Sequence, residues 1–195
     1  MIFYLILFVL MTVFPMLWLN YVFKKNDKIL ENMPFNGLEF GNNVLSELGL
    51  KNVKIEKSIA GDHYDLLEKK VKVNETRLTN KSLTAISIIC HEIGHAIQHH
   101  EKYKPLEQRT KLVKSTAWIT QLGSGLLLMG LPMIFTIGSF PLIKLCLILV
   151  LISLGIGVIV HLITLEVELD ASFKKALPIL KKRFQKNTTK LAIQC

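Results

Sequence analysis

The stretch Cys90-His91-Glu92-Ile93-Gly94-His95-Ala96-Ile97-Gln98-His99 places two imidazoles and a carboxylate within five residues. On a helix, residues four apart lie about 40° apart around the axis and roughly 6 Å along it, so His91 and His95 can address one ion with Glu92 beside it. Zinc lowers the pKa of water toward about 7, and a carboxylate at Glu92 can take that water's proton and pass it to a leaving amine. His-Glu-x-x-His is short enough to occur by accident in proteins that bind no metal, so its setting decides the reading. Ser82 to Gln98 carries Leu83, Ile86, Ile88, Ile89, Ile93 and Ile97 nearly all round, as a helix buried within a fold does. Buried imidazoles and a carboxylate need partners, and one metal ion satisfies all three. The stretch therefore predicts zinc ligands at His91 and His95 and a general base at Glu92.

Outward from that helix the chain reads as a membrane protein. Half of its 195 residues are hydrophobic and its mean hydropathy is +0.38, unlike a soluble enzyme of this size. Met1 to Phe23 carries no charge and ends at Lys24-Lys25, long enough to cross a hydrocarbon core of about 30 Å. It lacks the basic start and small-residue exit of a cleaved signal peptide, so residues 1–23 are expected to be an anchor. Thr116 to Ile137 and Phe140 to Leu162 are further apolar spans separated by Gly138-Ser139, a predicted membrane hairpin over 116–162. Neighbouring helices can satisfy the groups freed by Pro132 and Pro141, and Gly123, Gly125, Gly130, Gly155 and Gly157 are expected to allow close helix contact. Lys144 is expected to snorkel to the interface and His161 to make a helix–helix hydrogen bond.

The net charge of +9 does not point to nucleic acid, because acidic residues interleave the basic ones between residues 24 and 115 and no aromatic stacking motif accompanies them. Lys and Arg beside membrane spans instead predict that residues 24–115 and 163–195 face the cytoplasm, in a multi-pass protein of the cell membrane. Three cysteines give no disulfide framework. Cys90 reads as a small buried residue, Cys146 lies in a span, and Cys195 lacks the three following residues that prenylation requires.

Between anchor and metal helix, Asn36 can cap a helix carrying Leu38, Val44, Leu45 and Leu48 that ends at Gly49. Val53 to Lys57 and Lys70 to Asn74 alternate apolar and charged residues, predicting two short strands paired as a hairpin. Gly61-Asp62-His63-Tyr64-Asp65 between them reads equally well as a solvated connection or a functional loop. An exposed edge on the second strand would hold a peptide extended beside the metal. Tyr103-Lys104-Pro105-Leu106 breaks the metal helix, and Arg109 beyond it is expected to be a structural or interfacial charge. Two membrane crossings return the chain to the side it left, so Glu166, Glu168 and Asp170 emerge beside the metal helix. A zinc held by two histidines needs a third protein ligand, and a carboxylate from this group would leave the fourth position for water.

Taken together, these residues resemble the membrane neutral zinc metallopeptidases called YugP-like. The likeness runs through Asn36-Gly37-Leu38-Glu39, Gly61 to Asp65, His91 to His99, Tyr103 to Leu106 and Thr164 to Ser172, and so covers most of the chain. It implies zinc ligands His91, His95 and Glu168, with Glu92 as base. Two departures stand out. Glu166 replaces a proline usual in that family, and the chain stops at Cys195 where such proteins commonly continue into another apolar helix, consistent with a shortened form. Helical geometry makes the same choice among the three acids: residues 166 and 170 share a face, while Glu168 projects some 160 to 200° away, on the side of Leu165 and Ser172 expected to pack inward. Ser172, one turn on, could orient a ligand.

The sequence thus predicts a mainly α integral membrane protein with three transmembrane helices, a zincin-like metal helix and a small cytoplasmic β-hairpin. Its segments are the anchor 1–23, a metallopeptidase segment 24–115, the hairpin 116–162 and a C-terminal segment 163–195 with the third ligand. The expected activity is zinc-dependent (Zn2+) endopeptidase cleavage of membrane or membrane-proximal proteins, in contact with the lipid bilayer and not with nucleic acid. The oxyanion partner stays open among His63, Tyr64, Arg109 and His161. A non-catalytic membrane protein that keeps the fold for assembly or chaperone-like binding is the alternative. His99-His100 raises a di-iron oxygenase, which needs several histidine clusters where this chain has one.

Overall fold

The computed structural model describes residues 2–184. The chain forms two compact units, Met1–His100 with Ser172–Cys195, and Glu101–Ala171. Met1, the end of the C-terminal segment from 185 onward and Cys195 lie outside the described residues.

The first unit is built around one buried helix. α1 (Ile2–Asn26) precedes α2 (Gly37–Glu47), then come β1 (Lys54–Lys57), β2 (His63–Asp65), β3 (Lys70–Val73), the short α3 (Glu75–Thr79) and the metal-motif helix α4 (Leu83–His100). Asn36 caps α2 as expected: its side chain accepts from the Glu39 N–H while Glu39 accepts from the Asn36 N–H, and Gly49 ends the helix at φ 70°. Phe40, Val44 and Leu45 of α2 and Val71 and Val73 of β3 bury themselves with Ile86, Ile89 and Ile93 of α4 in one core. Burial on several sides explains why α4 shows no clean polar stripe. Its start is pinned by α1: Ser82 donates to Asp27 and accepts the Ala85 N–H, while Thr84 donates to the Phe23 carbonyl. Gly37 and Gly41 let α2 approach this closely, since a Cβ at either would collide with Ile89.

The expected hairpin is not what forms. The sheet has three strands in the order β1-β3-β2, with β1 parallel to β3 and β2 antiparallel to it. Parallel neighbours cannot be joined by a tight turn, so the chain leaves β1, passes through β2 and returns as β3. The segment read as a connection supplies β2, and the true hairpin is β2–β3, turned at Lys69 with φ 54°. β3 is therefore central, and its edges are taken by its neighbours. Val71 and Val73 point to the core, while Lys70 and Lys72 face out and pair with Glu56, Glu68 and Asp65.

The second unit is a helical hairpin, with α5 (Lys104–Gly125) and α6 (Leu131–Ile137) as one arm and α7 (Phe140–Leu169) as the other. Both arms reach beyond the apolar spans read from sequence. A π-helical turn, Leu126–Gly130, joins α5 to α6 just ahead of Pro132, whose missing N–H the i→i+5 pattern accommodates. Gly138 turns the chain at φ 71°. Cys146, Val150 and Ser153 are the buried positions in the apolar stretch of α7, and Ser153 donates to the Ile119 carbonyl. Gly123 lies directly against Ser153, and Gly130 approaches Cys146, but Gly125, Gly155 and Gly157 have open space where a side chain would stand. Close contact thus rests on Gly123, not on all five glycines.

Among the described residues, two helices are long and apolar enough to cross a membrane, running through Lys104–Ile137 and Phe140–Phe184. Only 6% and 17% of their most apolar windows are buried, which separates them from the core helices of a soluble protein. α1 is helical along the expected anchor.

Candidate metal centre

α4 brings His91 and His95 together, with ring centroids 4.8 Å apart and planes at 82°. His95 and Glu92 are buried and His91 is half-buried. His95 Nδ1 lies 3.0 Å from Gln98 Oε1, an amide oxygen that can only accept, so this bond is donated by the ring. His91 Nδ1 is hydrogen-bonded to Ser172 Oγ at 3.0 Å. Each imidazole is therefore held by a hydrogen bond at one ring nitrogen, the kind of contact that fixes ring direction in metal sites. Two imidazoles four residues apart on one helix, in a chain that also carries carboxylates at Glu92 and Glu168, make a donor set of the kind that suits zinc. Ser172 does contact His91, as a residue that orients a ligand would; the Gln98 contact was missed, because an amide on a buried helix has no sequence signature that separates it from packing.

Neighbouring side chains are accounted for by structure. Burial pushes the Cys90 thiol up to about 12, so it stays protonated, and its Sγ donates to the Ala176 carbonyl. The motif at residues 61–65 is a scaffold. Gly61 adopts φ 98°, Asp62 pairs with Arg77 and accepts the Asn74 N–H, His63 Nδ1 contacts the Gly61 carbonyl, and Asp65 caps the β2–β3 turn. Tyr64 alone of these reaches α4: its hydroxyl is 2.9 Å from His99 Nδ1, and burial, helped by Asp65, pushes its pKa up to about 12. His99 thereby belongs to a Tyr–His contact and not to a second histidine cluster.

In the second unit, Glu168 sits on the last turn of α7, with its Oε1 3.4 Å from the Arg109 guanidinium of α5. Arg109 is the structural charge it was expected to be, but its partner is the acid singled out as a ligand. Tyr103, at the start of α5, donates to Glu166 at 3.3 Å. The inward-face argument is corrected in part. Leu165 is 53% exposed while Val167, Asp170 and Ala171 are buried, so the buried side of this stretch runs through 167, 170 and 171 and not through Leu165. Lys144 and His161 are exposed.

Compared with known proteins, residues 1–192 match the family described as "Putative neutral zinc metallopeptidase". The chain belongs to that family. It is also 32% identical over 167 residues to "Putative membrane protease YugP" of Bacillus subtilis (strain 168), an alignment covering 85% of this chain and 71% of the relative. No solved structure matches it significantly.

Proposed function

We propose that the protein is a membrane-embedded zinc endopeptidase, with His91, His95 and Glu168 as ligands and Glu92 as general base. The observation that carries this reading is the close pair of imidazoles, ring centroids 4.8 Å apart, each held by a hydrogen bond at Nδ1. Each of the three proposed ligands offers one ligand atom. Glu168 is favoured over its neighbours because it lies one turn before Ser172, the residue hydrogen-bonded to His91.

Zinc bound there supplies a Lewis acid that polarises the scissile carbonyl and makes water acidic enough to be deprotonated near neutrality. Glu92 accepts the proton of the attacking water as its oxygen bonds to the carbonyl carbon. The same carboxyl then gives that proton to the amine as the C–N bond breaks. Gln98 and Ser172 hold the imidazoles in place throughout. The buried setting of Glu92 limits access of bulk water to this proton transfer. The substrates that suit such a centre are membrane or membrane-proximal polypeptides, presented on the cytoplasmic side.

Purified protein in detergent, assayed for bound zinc and casein cleavage beside Glu92→Gln, tests the reading. Wild type should hold about one zinc per chain and cleave casein in a chelator-sensitive manner, whereas Glu92→Gln keeps the zinc and loses about 100- to 10,000-fold in kcat. Zinc binding with no turnover of any unfolded protein would instead support a non-catalytic role.

A further inference from the structure

A cleft of about 210 Å³ opens in the first unit where the helical segment after Ser172 passes α4. α4 contributes Ser87 and His91 to its walls, and the other segment contributes Phe173, Ala176, Leu177 and Leu180. No lining residue except His91 is titratable, although the chain as a whole carries +9. Ser172, which holds His91 Nδ1, also lines it, so one side of the cleft is continuous with the histidine that the proposed mechanism uses.

Size and chemistry select the occupant. A dry apolar cavity of about 150 Å³ accepts a benzene ring, whereas sites for whole drug-sized ligands begin near 300 Å³. A volume of about 210 Å³ therefore suits one leucine, methionine or phenylalanine side chain and not an extended ligand. Phe173 is 61% and Leu177 37% exposed, which leaves the apolar mouth open to an incoming chain. We propose that this cleft is a specificity pocket that receives a single large apolar side chain of the substrate on the Ser172 side of His91. The inference rests on the endopeptidase reading, because it takes His91 as the landmark for the reacting carbonyl.

Binding separates the pocket from catalysis. Full-length Glu92→Gln protein in detergent is titrated with fluorescent peptides that differ at one position, carrying leucine, phenylalanine, alanine or aspartate. A photoreactive leucine at that position then reports its contact by mass spectrometry. Leucine and phenylalanine peptides should bind about 10-fold or more tightly than alanine and aspartate peptides, and the crosslink should fall on Phe173, Leu177 or Leu180. Ser87→Phe, which fills the cleft from α4, should erase the preference while leaving alanine-peptide affinity unchanged. Leu177→Asp, at the exposed mouth, provides the same loss should the first variant fail to fold. Equal affinities for leucine and aspartate peptides would overturn the pocket, as would crosslinks away from these residues or crosslinks suppressed only by added lipid acyl chains. Casein cleavage without side-chain preference defeats the pocket alone. Retained preference in a wild type that hydrolyses nothing defeats the endopeptidase reading and leaves an apolar peptide site.

Discussion

At the scale of single residues, the hydrogen bonds around the histidines make predictions that separate ligands from their supports. Glu168→Ala should lose bound zinc, while Glu166→Ala and Asp170→Ala retain it; normal zinc in the Glu168 variant would place the third ligand elsewhere. Gln98→Leu and Ser172→Ala should keep the metal but bind it about 10- to 100-fold more weakly, measured by competition with a chelator. Arg109→Ala should leave zinc stoichiometry intact, since its 3.4 Å contact holds Glu168 by charge and not by coordination. A different residue gives a pH prediction. Lys72, with the backbone N–H groups of Glu68 and Leu67, holds the Asp65 carboxyl at about 2, below its ordinary 3.8. A depressed folded pKa means stability that is present above the ordinary value and lost as pH falls through the folded one. Thermal unfolding in detergent should therefore show wild type losing stability relative to Asp65→Asn between about pH 4 and pH 2; parallel curves would show that Asp65 contributes nothing. The meeting of His91 and His95 was legible because i, i+4 spacing on a helix puts two side chains on one face. Gln98 and Tyr64 were not, because their partners lie on the far side of a side-chain rotamer or in another element, and sequence spacing carries neither.

Elements explain which parts of the fold could be read and which could not. α2 was legible because Asn36 and Gly49 mark its ends and its apolar residues recur at helical spacing, and α4 because a continuous apolar run of that length suits a buried helix. The sheet was only half legible. Lys54–Lys57 and Lys70–Val73 announce strands by alternation, but partner choice depends on what lies between, and the three residues of β2 are too short to show a period. The π-helical segment at Asp170–Ala176 was invisible, since each of its residues is acceptable in an ordinary α-helix. In the membrane hairpin, helical packing puts its strongest demand on one glycine: a Cβ at Gly123 would run into Ser153, whereas one at Gly155 or Gly157 meets nothing. Gly123→Val should destabilise the hairpin by about 1–3 kcal/mol through overpacking, and Gly155→Ala and Gly157→Ala by much less. Unfolding in detergent followed by circular dichroism checks the order; equal losses at all three would mean that intrinsic helix propensity, not contact, governs this arm.

At the scale of the whole molecule, charge placement relative to the apolar helices sets the expected topology. Lys24 and Lys25 close the first apolar run, Lys104, Arg109, Lys111 and Lys114 precede the hairpin, and Lys174, Lys175, Lys181, Lys182 and Arg183 follow it. Within residues 116–162 the basic residue is Lys144, near the hairpin turn. Two crossings return the chain to one side, so these flanking groups share a side, and the bias of Lys and Arg toward the cytoplasm assigns that side. On that expectation α4 and the segment carrying Glu168 and Ser172 would be reached from the cytoplasm, with Ser139 at the hairpin turn on the outer side. Single-cysteine variants at Lys69, Ser139 and Lys182, with the native cysteines replaced by alanine, should react differently with a membrane-impermeant maleimide on intact cells. Ser139→Cys should label directly, and Lys69→Cys and Lys182→Cys only after permeabilisation. Labelling of Lys69 or Lys182 in intact cells would reverse the orientation, and opposite behaviour of those two would mean that the helical hairpin does not cross the bilayer twice.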